Sequence, residues 1–130
     1  ALLEKYPDAE FLIHPECGCV TSCMYMLAEG SIRQEGAYIL STEGMINRAG
    51  KSSAETFVVA TETGILHRLR KLNATKTFIP VKEDAICEYM KMITLQKLHR
   101  SLKNLVYEVK VPHETASKAR LAIERMLQIT

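Results

Sequence analysis

Thr56-Phe57-Val58-Val59-Ala60-Thr61-Glu62-Thr63-Gly64-Ile65-Leu66-His67-Arg68-Leu69-Arg70-Lys71-Leu72 is the stretch from which the fold can be read. Its first five residues form a short apolar run, rich in aromatic and branched side chains and without polar alternation. Such a run suits a strand buried on both faces of a parallel sheet. A polar turn follows. Ile65, Leu66, Leu69 and Leu72 then recur at the spacing of one helical face. The unit reads as strand, turn and helix.

The same unit repeats outward in both directions. Phe11-Leu12-Ile13, Ala37-Tyr38-Ile39-Leu40 and Thr77-Phe78-Ile79-Pro80-Val81 are runs of the same kind. Residues 21–29, 43–50 and 63–72 supply the helices between them, the second made amphipathic by Met45, Ile46 and Ala49. The order βαβαβαβ predicts an α/β fold, a three-layer αβα domain around a small parallel sheet. The C-terminal third differs. Thr94 is placed to N-cap a helix, although Lys97 stands where a capping box needs Glu or Gln. Leu95, Leu98, Leu102 and Leu105 mark its apolar stripe, ending near Asn104 or Leu105. Residues 106–111 read as an extended connector. Pro112 starts a last helix, with Ala116, Ala119, Ile123, Met126 and Leu127 as its inward face. The expected division is therefore residues 1–84, the α/β domain, and residues 85–130, a loop and two helices packing on it.

Composition bounds the function. At 130 residues, 47% hydrophobic and 25% charged, the chain suits one globular domain with a core, not a disordered tail, a collagen or a coiled coil. No apolar run reaches the roughly 18 residues that span a bilayer. Seventeen basic against fifteen acidic residues leave a net charge of +2, which points to neither nucleic acid nor a membrane as partner. The chain opens at Ala1 straight into Leu2-Leu3-Glu4-Lys5-Tyr6, which reads as the tail of a helix and suggests a piece of something longer. Four cysteines, Cys17, Cys19, Cys23 and Cys87, accompany no secretion signal. A reducing compartment suits them better than a disulfide framework.

Ligands of such folds gather beyond the carboxyl ends of the strands. There the sequence places His14-Pro15-Glu16-Cys17, Ser41-Thr42-Glu43-Gly44 and Thr61-Glu62-Thr63-Gly64. In an extended segment His14 and Glu16 point to one side. They can do acid–base work, ligate a metal, or be structural. Ser41 and Thr42 can hold a phosphate or carboxylate, or simply cap the next helix. The same choice applies to residues 61–64, with capping favoured. His67, Arg68 and Arg70 fit a solvated face as well as a site. The spacings of Cys17, Cys19 and Cys23 are not those of a paired zinc knuckle. Cys87 reads as an inert buried thiol or as one ligand of a cluster completed elsewhere.

His14-Pro15-Glu16-Cys17, Ser41-Thr42, then Ala60 to Leu69, then Cys87-Glu88-Tyr89-Met90-Lys91-Met92-Ile93-Thr94-Leu95 and Tyr107-Glu108-Val109-Lys110-Val111-Pro112 occur in that order. Together they strongly resemble quinolinate synthase, the A protein of NAD biosynthesis, over essentially the whole chain. The resemblance implies a longer enzyme with three similar α/β domains around a pseudo-threefold axis, of which this chain is the C-terminal portion. It implies condensation of iminosuccinate (iminoaspartate) with dihydroxyacetone phosphate, with loss of phosphate and water. It implies a [4Fe-4S] cluster acting as a Lewis acid, held by three cysteines.

Carried over, His14 and Glu16 match the substrate-contacting histidine and glutamate, and Ser41 and Thr42 the residues holding substrate oxygens. Cys87 matches the third cluster cysteine, with the other two outside this chain. Cys17 belongs to its motif without being a ligand. The implied supplier of iminosuccinate is L-aspartate oxidase or dehydrogenase, and the family allows a homodimer. The cytoplasm is the expected compartment, with the plastid as the alternative. Residues 18–36, with Cys19 and Cys23, form a longer segment than compact members have. The isolated chain is expected to be inactive. Two other readings stand beside this one. One is a non-catalytic metal- or cluster-binding module using His14, Cys17, Cys19 and Cys23. The other is a plain structural domain with inert cysteines.

Overall fold

A computed structural model of the chain describes residues 2–15 and 21–129. They form two compact units, Ala1–Glu88 and Tyr89–Thr130. The first holds α1 (Leu2–Lys5), β1 (Glu10–Ile13), α2 (Thr21–Ala28), β2 (Ala37–Ile39), α3 (Thr42–Lys51), β3 (Thr56–Ala60), α4 (Ile65–Leu72) and β4 (Thr77–Pro80). The short α5 (Glu88–Lys91), α6 (Leu95–Asn104) and α7 (His113–Leu127) follow. None of the described helices is long and apolar enough to cross a membrane.

The sheet is parallel throughout, in the order β2-β1-β3-β4. Leu12 pairs with Tyr38 on one side and with Val59 on the other, and Phe57 pairs with Phe78. Side chains alternate between faces along each strand. Leu12, Phe57, Val59 and Phe78 pack with Met45, Ile46 and Ala49 of α3 and Leu66 and Leu69 of α4. Phe11, Ile13, Val58 and Ala60 face the opposite way, toward Ile32 and the half-buried Cys23, Met24 and Leu27. Cys23, Met24 and Leu27 belong to α2, so helices cover both faces and the domain is a three-layer αβα unit.

Burial on both faces holds for the two central strands. Phe11 to Ile13 and Phe57 to Ala60 are at most 3% exposed. The edge strands differ: Ile39 of β2 is 47% exposed, because β2 has a neighbour on one side only and α3 covers just one of its faces. Leu40 falls outside β2, and Val81 outside β4.

The amino end of the sheet is locked by polar contacts. Arg48 of α3 grips the Glu10 carboxylate with two nitrogens, Nε to Oε2 at 2.8 Å and Nη2 to Oε1 at 2.5 Å. The guanidinium also donates to Tyr38 Oη at 2.7 Å and lies 4.0 Å from that ring's centroid. Ser52 Oγ donates to Glu10 Oε1 at 2.7 Å. Lys76 Nζ donates to the carbonyls of Ala49 and Ser52 at 2.7 and 2.6 Å, filling acceptors that the end of α3 leaves open.

In the second unit Thr94 caps α6, its Oγ1 accepting from Lys97 N at 3.3 Å. Lys97 Nζ turns instead to the carbonyl of Met92 at 2.7 Å. Leu105 ends α6 in the left-handed region, at φ 50°, a conformation costing a branched side chain about 1–2 kcal/mol. Pro112 is the N-cap of α7 rather than its first residue, because its ψ of 139° is extended.

Candidate active site at the carboxyl ends of the strands

The turns after β1, β2 and β3 come out at one edge because the strands are parallel. The ladder continues past the strand ends and sets their level. His14 N donates to the Ala60 carbonyl at 3.1 Å, and Leu40 N to the Ile13 carbonyl at 2.9 Å. His14 is therefore flanked by the chain leaving β3 on one side and by the Leu40-Ser41-Thr42 segment on the other, neighbouring strands lying about 4.8 Å apart. His14 is half-buried. Position β1/β3, where the chain reverses its direction of progress across the sheet, is where ligands of this topology bind.

Ser41 and Thr42 occupy the start of α3, both exposed. Ser41 is the N-cap, its Oγ accepting from Gly44 N at 3.1 Å. The cap reading of this serine is thus satisfied, and its donor hydrogen is still available to a ligand. Gly44 leaves this turn room to stay close. A Cβ there would stand 3.2 Å from Leu40 Cβ and 3.3 Å from Ser41 Oγ. Thr42 opens the helix, where backbone N–H groups carry partial positive charge. Glu43 opposes this, and is itself engaged by Arg68 of α4 at 3.3 Å.

The turn after β3 is capped in a way that the threonines do not provide. Gly64 holds the N-cap position of α4 and has no side chain to cap with. The carboxylate of Glu62 acts instead, Oε2 accepting from Gly64 N at 2.8 Å. Thr61 and Glu62 are 7% and 6% exposed. Capping, the favoured reading of residues 61–64, is what this turn shows, with Glu62 rather than a threonine as the cap. The available signal was a carboxylate set directly behind a fully buried strand. From the same turn Thr63 N donates to the Ala85 carbonyl at 2.9 Å. That bond ties the segment carrying Cys87 to this edge.

Cys87 is a free, half-buried thiol. Among the described residues no group of three or more His, Cys, Asp or Glu side chains could hold a metal ion by itself. Cys23 is also free, but sits on α2 against the second core cluster, and burial pushes its thiol up from the ordinary value. Glu16, Cys17 and Cys19 lie outside the described residues. On α4, Arg70 donates to the Phe78 carbonyl at 3.0 Å. His67, Arg70, Lys71 and Glu83 line an open groove of about 710 Å³ that begins at Thr63.

Comparison with known proteins places the chain in a family. Residues 1–128 match the model of the quinolinate synthetase A protein. The chain is 54% identical over 129 residues to a quinolinate synthase of Thermus thermophilus, covering 99% of the chain and 39% of the relative. It is 52% identical over 128 residues to that of Pyrobaculum aerophilum, covering 98% and 41%. With that of Mycobacterium tuberculosis it shares 44% over 124 residues, 95% of the chain and 36% of the relative. The chain therefore spans about two fifths of the length of these curated relatives. It belongs to the quinolinate synthetase A protein family.

Proposed function

We propose that this chain is the C-terminal portion of a quinolinate synthase serving de novo NAD biosynthesis. The full protein condenses iminosuccinate with dihydroxyacetone phosphate and releases phosphate and water as quinolinate forms. The observation that carries the reading is the convergence at one sheet edge of His14, the Ser41-Thr42 turn and, through the Thr63–Ala85 bond, the Cys87 segment. The family match supports the same assignment.

Each residue has a task suited to its chemistry. The hydroxyls of Ser41 and Thr42, backed by the first turn of α3, hold carboxylate or phosphate oxygens. His14 takes and returns protons during imine formation and dehydration, with Glu16 as its partner. The sheet ladder fixes the height of His14 before substrate arrives, which lowers the cost of orienting it. Cys87 is one of three thiolates for a [4Fe-4S] cluster, the other two coming from the remainder of the protein. When bound, the cluster supplies an iron with an open position that acts as a Lewis acid toward substrate oxygen. The pseudo-threefold assembly, the supply of iminosuccinate by an oxidase or dehydrogenase of L-aspartate, dimerisation and a cytoplasmic or plastid location all belong to this proposal. The module reading with His14, Cys17, Cys19 and Cys23 is weakened by the packing of Cys23 against the apolar core.

The test is an anaerobic assay of the full-length protein with iminosuccinate generated in place and dihydroxyacetone phosphate. The parent forms quinolinate. His14→Ala lowers kcat by about 10²–10⁴-fold, the range for losing a general acid–base. Turnover in His14→Ala equal to the parent's removes this histidine from the chemistry.

A further inference from the structure

Thr61 and Glu62 are buried polar side chains to which the proposed function gives no role. They stand in the β3–α4 turn, and that turn connects two residues that have one. On its upstream side the Ala60 carbonyl accepts from His14 N at 3.1 Å. On its downstream side Thr63 N donates at 2.9 Å to the carbonyl of Ala85, two residues before Cys87. Between them Glu62 Oε2 accepts from Gly64 N at 2.8 Å.

We infer that Glu62 is a positioning residue, whose carboxylate locks the turn that joins the backbone beside His14 to the anchor of the Cys87 segment. The inference rests on the proposed function, since it takes Cys87 as a cluster ligand. A buried carboxylate is costly unless hydrogen-bonded. Here the Gly64 N–H, at the N-cap of α4, meets its Oε2 with a charge-assisted bond. An apolar residue would fill the same space without that cost, but would leave Gly64 N unheld and the turn free to shift. Any shift moves Thr63 N, and with it the anchor of the Cys87 segment. Residues that orient a metal ligand without touching the metal typically govern its affinity by 10–100-fold. Glutamine keeps an acceptor and the shape, so it preserves the lock. Alanine removes it.

The experiment uses the full-length protein, purified anaerobically, as parent, Cys87→Ala, Glu62→Ala, Glu62→Gln and Phe78→Leu. Phe78 stacks on Phe57 in the core, at 5.2 Å between ring centroids, and serves as a control for destabilisation alone. Iron and sulfide content, the EPR spectrum of the reduced cluster and its rate of loss to a chelator are measured. Glu62→Ala is expected to lose its cluster about tenfold or more faster than the parent, with an altered EPR line shape. Glu62→Gln stays within about twofold of the parent. Phe78→Leu lowers the unfolding temperature and leaves all three cluster readouts in place. If Glu62→Ala does not fold, Glu62→Met, which keeps most of the volume and offers Gly64 N no oxygen acceptor, replaces it with the same expectation. A variant matching the parent in content, line shape and loss rate overturns the inference. So does a Phe78→Leu protein that loses its cluster as fast as Glu62→Ala. An intact cluster in Cys87→Ala overturns instead the reading on which the inference rests.

Discussion

Glu10 begins β1 and Glu62 follows β3, so these two carboxylates stand at opposite ends of one parallel sheet. Glu10 is held by side chains from other elements. The hydrogen bond from Arg48 is the main cause holding its carboxyl below the ordinary value of 4.5, aided by Ser52 and by the charges of Arg48 and Lys76 against partial desolvation. A carboxyl lowered on folding stabilises the folded state above its unfolded value, and that stability is lost as pH falls through the folded value. Glu10→Gln is therefore expected to cost about 1–3 kcal/mol at neutral pH. The difference from the parent shrinks as pH falls below 4.5. Urea unfolding of both proteins at neutral pH and at about pH 3 checks this. A gap that stays constant across that range contradicts it.

At the scale of elements, the turn from β2 into α3 carries two functions on adjacent residues. Ser41 caps the helix through Gly44 N, and the same hydroxyl is proposed to hold substrate. The two roles separate by substitution. Ser41→Ala loses about 1 kcal/mol of stability, and Ser41→Asn recovers most of it because asparagine caps as well as serine. Substrate KM rises in both variants if the hydroxyl binds substrate. A KM restored together with stability in Ser41→Asn assigns Ser41 to capping alone. The sequence made β1 and β3 legible, because strands buried on both faces carry unbroken apolar runs. It misled at β2, whose Ala37-Tyr38-Ile39 run looks the same although α3 shields only one side of an edge strand. The capping of α4 was hidden for another reason. Thr61 and Thr63 are the competent caps by type, and only the path of the turn selects the Glu62 carboxylate instead.

For the whole molecule, periodicity was enough for the α/β layers, and motif order was enough for the family. The site was legible only in part. His14, Ser41 and Thr42 stand out as candidates because they follow strands, a position visible in one dimension. The tie between Thr63 and Ala85 that brings in Cys87 is a contact between two turns separated by α4 and β4, with no local pattern to announce it. The central claim is that this chain provides one portion of a site finished by the rest of a longer protein. Its most direct test is quinolinate formation by the 130-residue chain and by the full-length protein, both reconstituted anaerobically with iron and sulfide. The account predicts quinolinate from the full-length protein and none from the chain alone. Sustained turnover by the isolated chain, or a cluster-loaded full-length protein that makes no quinolinate, would contradict it.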